Sequence, residues 1–246
     1  MIVSFDFWNT LYKLPGTKES RSSIRSKVLS EACKSLDAVA SADAVAVAES
    51  LFENVDGFIK ERWQHGECAD DVAIVNHLRM TWNWITMPTW LKLREALHQI
   101  YCADLKPQLW YGAEECLQWC LGRSPIYLIS DTFTLTGHTL RQIMNCDGIL
   151  SYFKHTYFSD EIGFKKPNPY AFNEIIAQEL CQPSQLVHIG DDLETDYGAA
   201  RAANASFILF TPGVPSKRLA EYSCASSYAE IISFLAARGV TGRNNV

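Results

Sequence analysis

Five short β-type runs punctuate this chain: Ile2 to Phe5, Ile126 to Ile129, His155 to Phe158, Leu186 to Ile189 and Phe207 to Phe210. None alternates apolar with polar residues as a half-wet strand does, so each reads as a strand covered on both faces. Helical patterns lie between them, at Ala113 to Leu121, Leu135 to Met144, Pro169 to Leu180 and Thr195 to Ala203, and another follows at Tyr228 to Ala237. Parallel neighbours need long crossovers, and helices on both faces provide them. The pattern therefore predicts an α/β fold with a doubly wound parallel sheet.

One stretch breaks the rhythm. From Tyr12 to Ala103 there is no good strand, and four helical stretches follow one another. The first carries Ile24, Val28, Ala32 and Leu36; the second carries Leu51, Phe52, Val55, Phe58 and Ile59. The third follows Asp70, an expected N-cap, and the fourth follows Pro88-Thr89. The expected organisation is a core of residues 1–12 plus 104–246, interrupted by an all-helical domain over 13–103, with a frayed tail from Gly239.

In open parallel sheets ligands bind beyond the carboxyl ends of the strands, where the winding reverses. Those ends carry the chemistry here. The first strand runs into Asp6-Phe7-Trp8-Asn9-Thr10-Leu11, and the second into Ser130-Asp131-Thr132. The third leads to Lys165-Lys166-Pro167-Asn168-Pro169, and the fourth to Gly190-Asp191-Asp192-Leu193-Glu194-Thr195-Asp196. A carboxylate, a hydroxyl, an ammonium and an acidic cluster on one face suit attack by a carboxylate on an anionic electrophile. Asp6 is the candidate nucleophile of a covalent route. Asp6 and Asp191 would repel each other without a hard cation, which makes them a natural Mg²⁺ pair. Ser130 and Lys166 are placed to hold the oxygens on which transition-state charge collects.

These residues resemble the motifs of the haloacid dehalogenase (HAD) superfamily. The first motif, D-x-D-x-T-L, is matched by Asp6, Asn9, Thr10 and Leu11; the second, a Ser or Thr after an apolar strand, by Ser130. The third, a Lys in a K-P-x-P context, is matched by Lys166 to Pro169, and the fourth, G-D-D-x-x-x-D, by Gly190, Asp191, Asp192 and Asp196. The resemblance implies a Rossmann-like core with a helical cap, and a hydrolase acting on a small phosphorylated molecule through an aspartyl-phosphate on Asp6. It also implies Mg²⁺ held by Asp6, the Trp8 carbonyl, Asp191 and Asp192, with Asp192 or Asp196 acting through water. Asn9, Thr10, Asp131 and Lys166 would face the substrate.

The pattern is broken at Trp8, where phosphatases of the superfamily carry a second Asp that protonates the leaving group. An indole N–H cannot serve as that acid. Three readings stay open: a phosphatase for good leaving groups or with another acid such as Asp131, a dehalogenase-like enzyme, and a weak or inactive binding protein. The intact Asp191-Asp192 pair favours the first, since adjacent carboxylates without a cation raise each other's pKa.

Charge and composition bound the rest. A net charge of −6 gives no basis for general nucleic-acid binding, and no apolar run of about 18 residues suggests a membrane span. Asp6 interrupts what a leader peptide would need. The 8 cysteines include no C-x-x-C pair, so free thiols in a reducing, cytoplasmic setting are expected. Trp63, Trp82, Trp84 and Trp90 fall in the helical segment, more in keeping with a bundle core than with a substrate wall, and His188 reads as a packed core residue.

Overall fold

The computed structural model describes residues 1–34, 44–65, 67–132, 135–214, 217–218 and 222–239. Leu36 and the tail beyond residue 239 lie outside the described residues. The chain begins with β1 (Ile2–Phe5), turns, and makes β2 (Tyr12–Lys13). Helices α1 (Lys18–Lys34), α2 (Ala44–Gln64), α3 (Asp71–Arg79) and α4 (Met87–Cys102) follow, and β3 (Gln108–Leu109) brings the chain back. The remainder alternates: α5 (Ala113–Cys120), β4 (Ile126–Ser130), α6 (Gly137–Cys146), β5 (His155–Phe158), α7 (Ser159–Ile162) and α8 (Tyr170–Gln178). Then come β6 (Leu186–Gly190), α9 (Asp196–Ala202), β7 (Ser206–Phe210), β8 (Lys217–Arg218), β9 (Ser223–Ala225) and α10 (Tyr228–Ala237).

The main sheet has the order β5-β4-β1-β6-β7-β9-β8 and is parallel except for β8, which runs antiparallel to β9. The chain winds outward from β1 through β4 to β5, then returns to β6 on the other side of β1. The winding therefore reverses between β1 and β6, and Asp6 and Asp191 follow those two strands. Register fixes their level: Phe5 pairs with Ile189, and the Asp6 N–H donates to the Ile189 carbonyl at 2.9 Å. The five expected strands are present because their side chains meet apolar layers on both faces. Val3, Phe5, Leu128, Val187, Ile189 and Ile208 lie in one, and Ile2, Tyr127, Ile129, Leu186, Phe207 and Leu209 in the other.

Two pieces of sheet depart from the sequence expectation. The stretch from Tyr12 is not wholly helical, because β2 pairs antiparallel with β3, Tyr12 opposite Leu109 and Lys13 opposite Gln108. This ribbon is the point at which the helices α1–α4 leave and rejoin the core. It is tied to α6 by Asp147, which accepts from the Tyr12 hydroxyl at 3.1 Å and pairs with Lys106. The β8–β9 pair also adds an edge that carries no periodic signal. Among the helices α1–α4, Asp70 caps α3 by accepting from the Ala73 N–H at 2.8 Å, as expected. The start of α4 moves back, with Thr86 as its cap and Pro88 in its first turn.

Candidate active site

The loop after β1 is held by its own backbone. The Leu11 and Tyr12 N–H groups donate to the Phe7 carbonyl, and the Asn9 N–H donates to the Tyr12 carbonyl at 2.7 Å. Closing so tight a turn places Asn9 at φ +54°, a left-handed conformation that Asn tolerates better than most side chains. Asp6 consequently points from the end of β1 into a buried site at the switch point.

Lys166 is the centre of that site. Its side chain is only 4% exposed, and its Nζ donates to Asp6 Oδ1 at 2.5 Å, Asp196 Oδ1 at 2.5 Å and the Ile129 carbonyl at 3.2 Å. Asp196 is satisfied from all sides. Its Oδ1 also meets His188 Nε2 at 3.2 Å, and its Oδ2 accepts from the backbone N–H groups of Asp191 and Asp192, both at 3.1 Å. That approach requires Gly190, because a Cβ there would lie 2.4 Å from Asp196 Cγ.

Carboxylate oxygens of Asp6, Asp191 and Asp196 lie within 4.8 Å of one another. Burial, with repulsion from Asp196 and Asp191, pushes the Asp6 carboxyl well above its usual range in spite of Lys166. Asp191 is raised for the same reasons, partly offset by a hydrogen bond from the Asn9 side chain. Asp196 goes the other way: burial disfavours its charge, but Lys166 and His188 outweigh burial and hold it ionised. Burial also opposes a charged Lys166, and the carboxylates of Asp196, Asp6 and Asp131 overcome it, keeping the ammonium protonated.

The other expected residues fall as follows. Asp131 is half-buried, and its Oδ1 accepts from the Lys166 backbone N–H at 3.0 Å, which fastens the loop after β4 to the lysine. Burial raises its carboxyl pKa. Ser130 is buried, with Oγ 3.3 Å from the Asp131 carbonyl. Thr10 is buried, its Oγ1 without a partner and its carbonyl accepting from the Tyr228 hydroxyl. Trp8 is half-buried and packs edge-on to Phe7, centroids 4.7 Å apart. Asp192 stands outside the group of clustered carboxylates. It is exposed, and its Oδ1 accepts from the Glu194 and Thr195 N–H groups and the Thr195 hydroxyl at 2.7–2.9 Å, closing the turn into α9. Asp196, the other residue expected to act through water, lies within that group.

Residues 1–204 match the family model described as haloacid dehalogenase-like hydrolase. The chain belongs to that family. A haloacid dehalogenase-like hydrolase domain-containing protein 3 from Bos taurus is 30% identical over 118 residues, covering 46% of this chain and 46% of that protein. The chain thus spans about half the length of the curated relatives it matches. The glyceraldehyde 3-phosphate phosphatase of Methanothermobacter thermautotrophicus is 37% identical over 62 residues, 25% of this chain and 27% of that protein. Among solved structures, a 2-haloacid dehalogenase from Pseudomonas syringae pv. Tomato superposes with a TM-score of 0.67 at 16% identity, covering 97% of this chain and 100% of that one. At that identity the likeness bears on the fold alone.

This haloacid dehalogenase-like hydrolase also brings residues to the site that sequence reasoning missed. Lys165 lies over the Trp63 ring of α2, 4.5 Å from its centroid. Cys68, just beyond α2, hydrogen-bonds Ser159 and feels Asp131; burial raises its thiol pKa. Asp160 fixes the β4 loop from behind, accepting from the Thr132 hydroxyl at 2.8 Å and from the Gly137 N–H at the start of α6. Only Asp160, two residues past a strand, carried a sequence signal. Trp90 is a bundle-core residue, buried with Nε1 donating to Asp71 at 2.7 Å. Of the arginines α1–α4 could offer an anion, Arg25, Arg62 and Arg94 pair with Asp56, Glu67 and Asp71. Cysteines 68, 102, 116, 120, 146, 181 and 224 are free, and no described helix is long and apolar enough to cross a membrane.

Proposed function

We propose that this hydrolase removes phosphate from a small phosphorylated molecule, with Asp6 as nucleophile. The observation that carries the reading is the charge balance at the switch point: three clustered carboxylates against one buried ammonium. Such a site disfavours its own ionised state and gains from a divalent cation with oxygen ligands. Asp6, Asp191 and the Trp8 carbonyl would hold Mg²⁺, which would screen the nucleophile from the incoming phosphate. Asp6 attacks phosphorus and the P–O bond to the leaving group breaks, an alkoxide taking a proton from water or a carboxylate leaving as such. Water then cleaves the aspartyl phosphate, releasing phosphate and restoring the Asp6 carboxylate. Lys166 and Ser130 stand beside the oxygens that gain charge. The match to a glyceraldehyde 3-phosphate phosphatase supports a phosphate ester as substrate class. The helices α1–α4, reaching the site through Trp63 and Cys68, act as the cap over residues 13–103. Phosphate release from a substrate panel with Mg²⁺, lost on adding EDTA, is the expected result; turnover that survives chelation would sink the metal assignment.

Metal binding should itself depend on pH in a defined direction. Protons compete for Asp6 and Asp191, whose folded pKa values are raised, so cation affinity falls as pH falls through that raised range. Mg²⁺ at about a hundred times its Kd adds about 2.7 kcal/mol, roughly 5–10 °C in Tm for a chain of this length. That gain should be larger at pH 8 than at acidic pH, where protons reoccupy the two carboxyls. Equal gains at both would place the cation elsewhere.

Trp8 favours a second reading, weak or absent turnover, because the usual acid is missing and a missing acid costs about 10²–10⁴ in rate. If acid catalysis is the limit, Trp8→Asp should speed alkyl phosphates far more than acyl phosphates. Similar changes for both would show that Trp8 shapes the pocket instead.

A further inference from the structure

Behind the catalytic residues lies a buried polar pair that the reaction scheme does not use. Ser4 and His188 face each other in register across β1 and β6, both fully buried. Each stands two residues before a site residue, Ser4 before Asp6 and His188 before Gly190, and so shares its face of the sheet. Both imidazole nitrogens have partners: Nδ1 lies 2.9 Å from Ser4 Oγ, and Nε2 lies 3.2 Å from Asp196 Oδ1. The ring is gripped by Phe172, edge-on at 4.9 Å, and Phe207, stacked at 6.2 Å. A polar ring buried in a sheet is costly unless its nitrogens are satisfied, and packing alone would be served by an apolar side chain.

We propose that His188 is a positioning residue: in its Nε2–H tautomer, set by Asp196 and accommodated by the Ser4 hydroxyl, it fixes Asp196 Oδ1, which in turn holds Lys166 against Asp6. The chemistry of the partners decides the tautomer. Asp196 is a carboxylate and can only accept, so Nε2 must carry a proton. Burial, the largest influence on His188, keeps the ring neutral, so Nδ1 accepts from the Ser4 hydroxyl. Asp196 Oδ1 is then pinned between two donors while its Oδ2 is pinned by the Asp191 and Asp192 N–H groups, which leaves Lys166 a single docking position. The effect on turnover rests on the phosphatase reading above; the tautomer and the hydrogen-bond chain do not.

Two measurements on the intact chain test this. Ring ¹⁵N NMR at pH 7 should show His188 neutral with its proton on Nε2; a proton on Nδ1 alone would overturn the proposal whether or not the protein turns over any phosphate ester. In phosphate release, His188→Leu should lower kcat by about 10–100-fold, the usual cost of losing a supporting hydrogen bond, with KM little changed. His188→Gln, whose amide nitrogen reaches about as far as Nε2, should recover most of kcat. Equal losses in the Leu and Gln variants, with both folded, would reduce His188 to a packing residue. Absence of wild-type turnover would count against the phosphatase reading, and the NMR result would still decide the tautomer.

Discussion

Asp6→Asn is expected to abolish phosphate release, by about 10⁴-fold or more as for loss of a covalent nucleophile, while leaving the metal-free protein at least as stable as before. The second half of that expectation comes from the raised pKa of Asp6. A carboxyl that binds its proton more tightly in the folded state than in the unfolded one opposes folding once pH exceeds its unfolded value, and increasingly so as it ionises. Asn keeps the shape and removes the charge. Lys166 retains Asp196 as a partner at 2.5 Å. Metal-free Tm should therefore hold or rise, with the gain larger at pH 8 than at pH 5. A fall of many degrees would mean that the Asp6–Lys166 pair supports the fold rather than opposing it, and retained turnover would remove Asp6 as nucleophile.

Lys166→Met should do the opposite to stability. It leaves Asp6 and Asp196 buried together with their shared ammonium gone. Stripping one partner from a buried ion pair costs about 3–5 kcal/mol, roughly 6–20 °C in Tm at this chain length. Turnover should fall by at least about 10²-fold, since a donor to developing charge is lost as well. Mg²⁺ should recover part of the lost stability, because it returns positive charge to the same carboxylates, and its Tm gain should exceed that in the wild type. Thermal scans with and without Mg²⁺ check both statements. A variant melting within a degree of the parent would show that Lys166 is not the counter-charge that the geometry assigns.

The contrast shows what was legible beforehand. The five main strands could be read because strands covered on both faces lose their alternation, and Asp6, Ser130 and Asp191 because each stands at the carboxyl end of one of them, whereas Lys166 lies past β5 and the short α7. The β2–β3 ribbon could not be read: two residues a side, Tyr12-Lys13 and Gln108-Leu109, are too few to show any period. The β9 strand, Ser223-Cys224-Ala225, is too small and too short to stand out. Within the site, residue types were plain, but the division of labour among them was not. Asp192 and Asp196 sit in one acidic motif, and only the path of the turn sends the first outward to cap it and the second inward over Gly190. The spacing of Asp192 to Thr195 carries an N-cap signature that foreshadows this. His188 was legible as buried, but its two partners were not, since they lie 184 and 8 residues away.

The ribbon has a consequence for how such a chain can change. Because β2 and β3 lie side by side, everything between them departs and returns through one doorway, and β1 and β4 need not move when its contents are rebuilt. Doubling the length of a closed loop costs only about 0.6 kcal/mol. Evolution can therefore lengthen, shorten or replace this module wholesale while Asp6 and Lys166 keep their places beside each other.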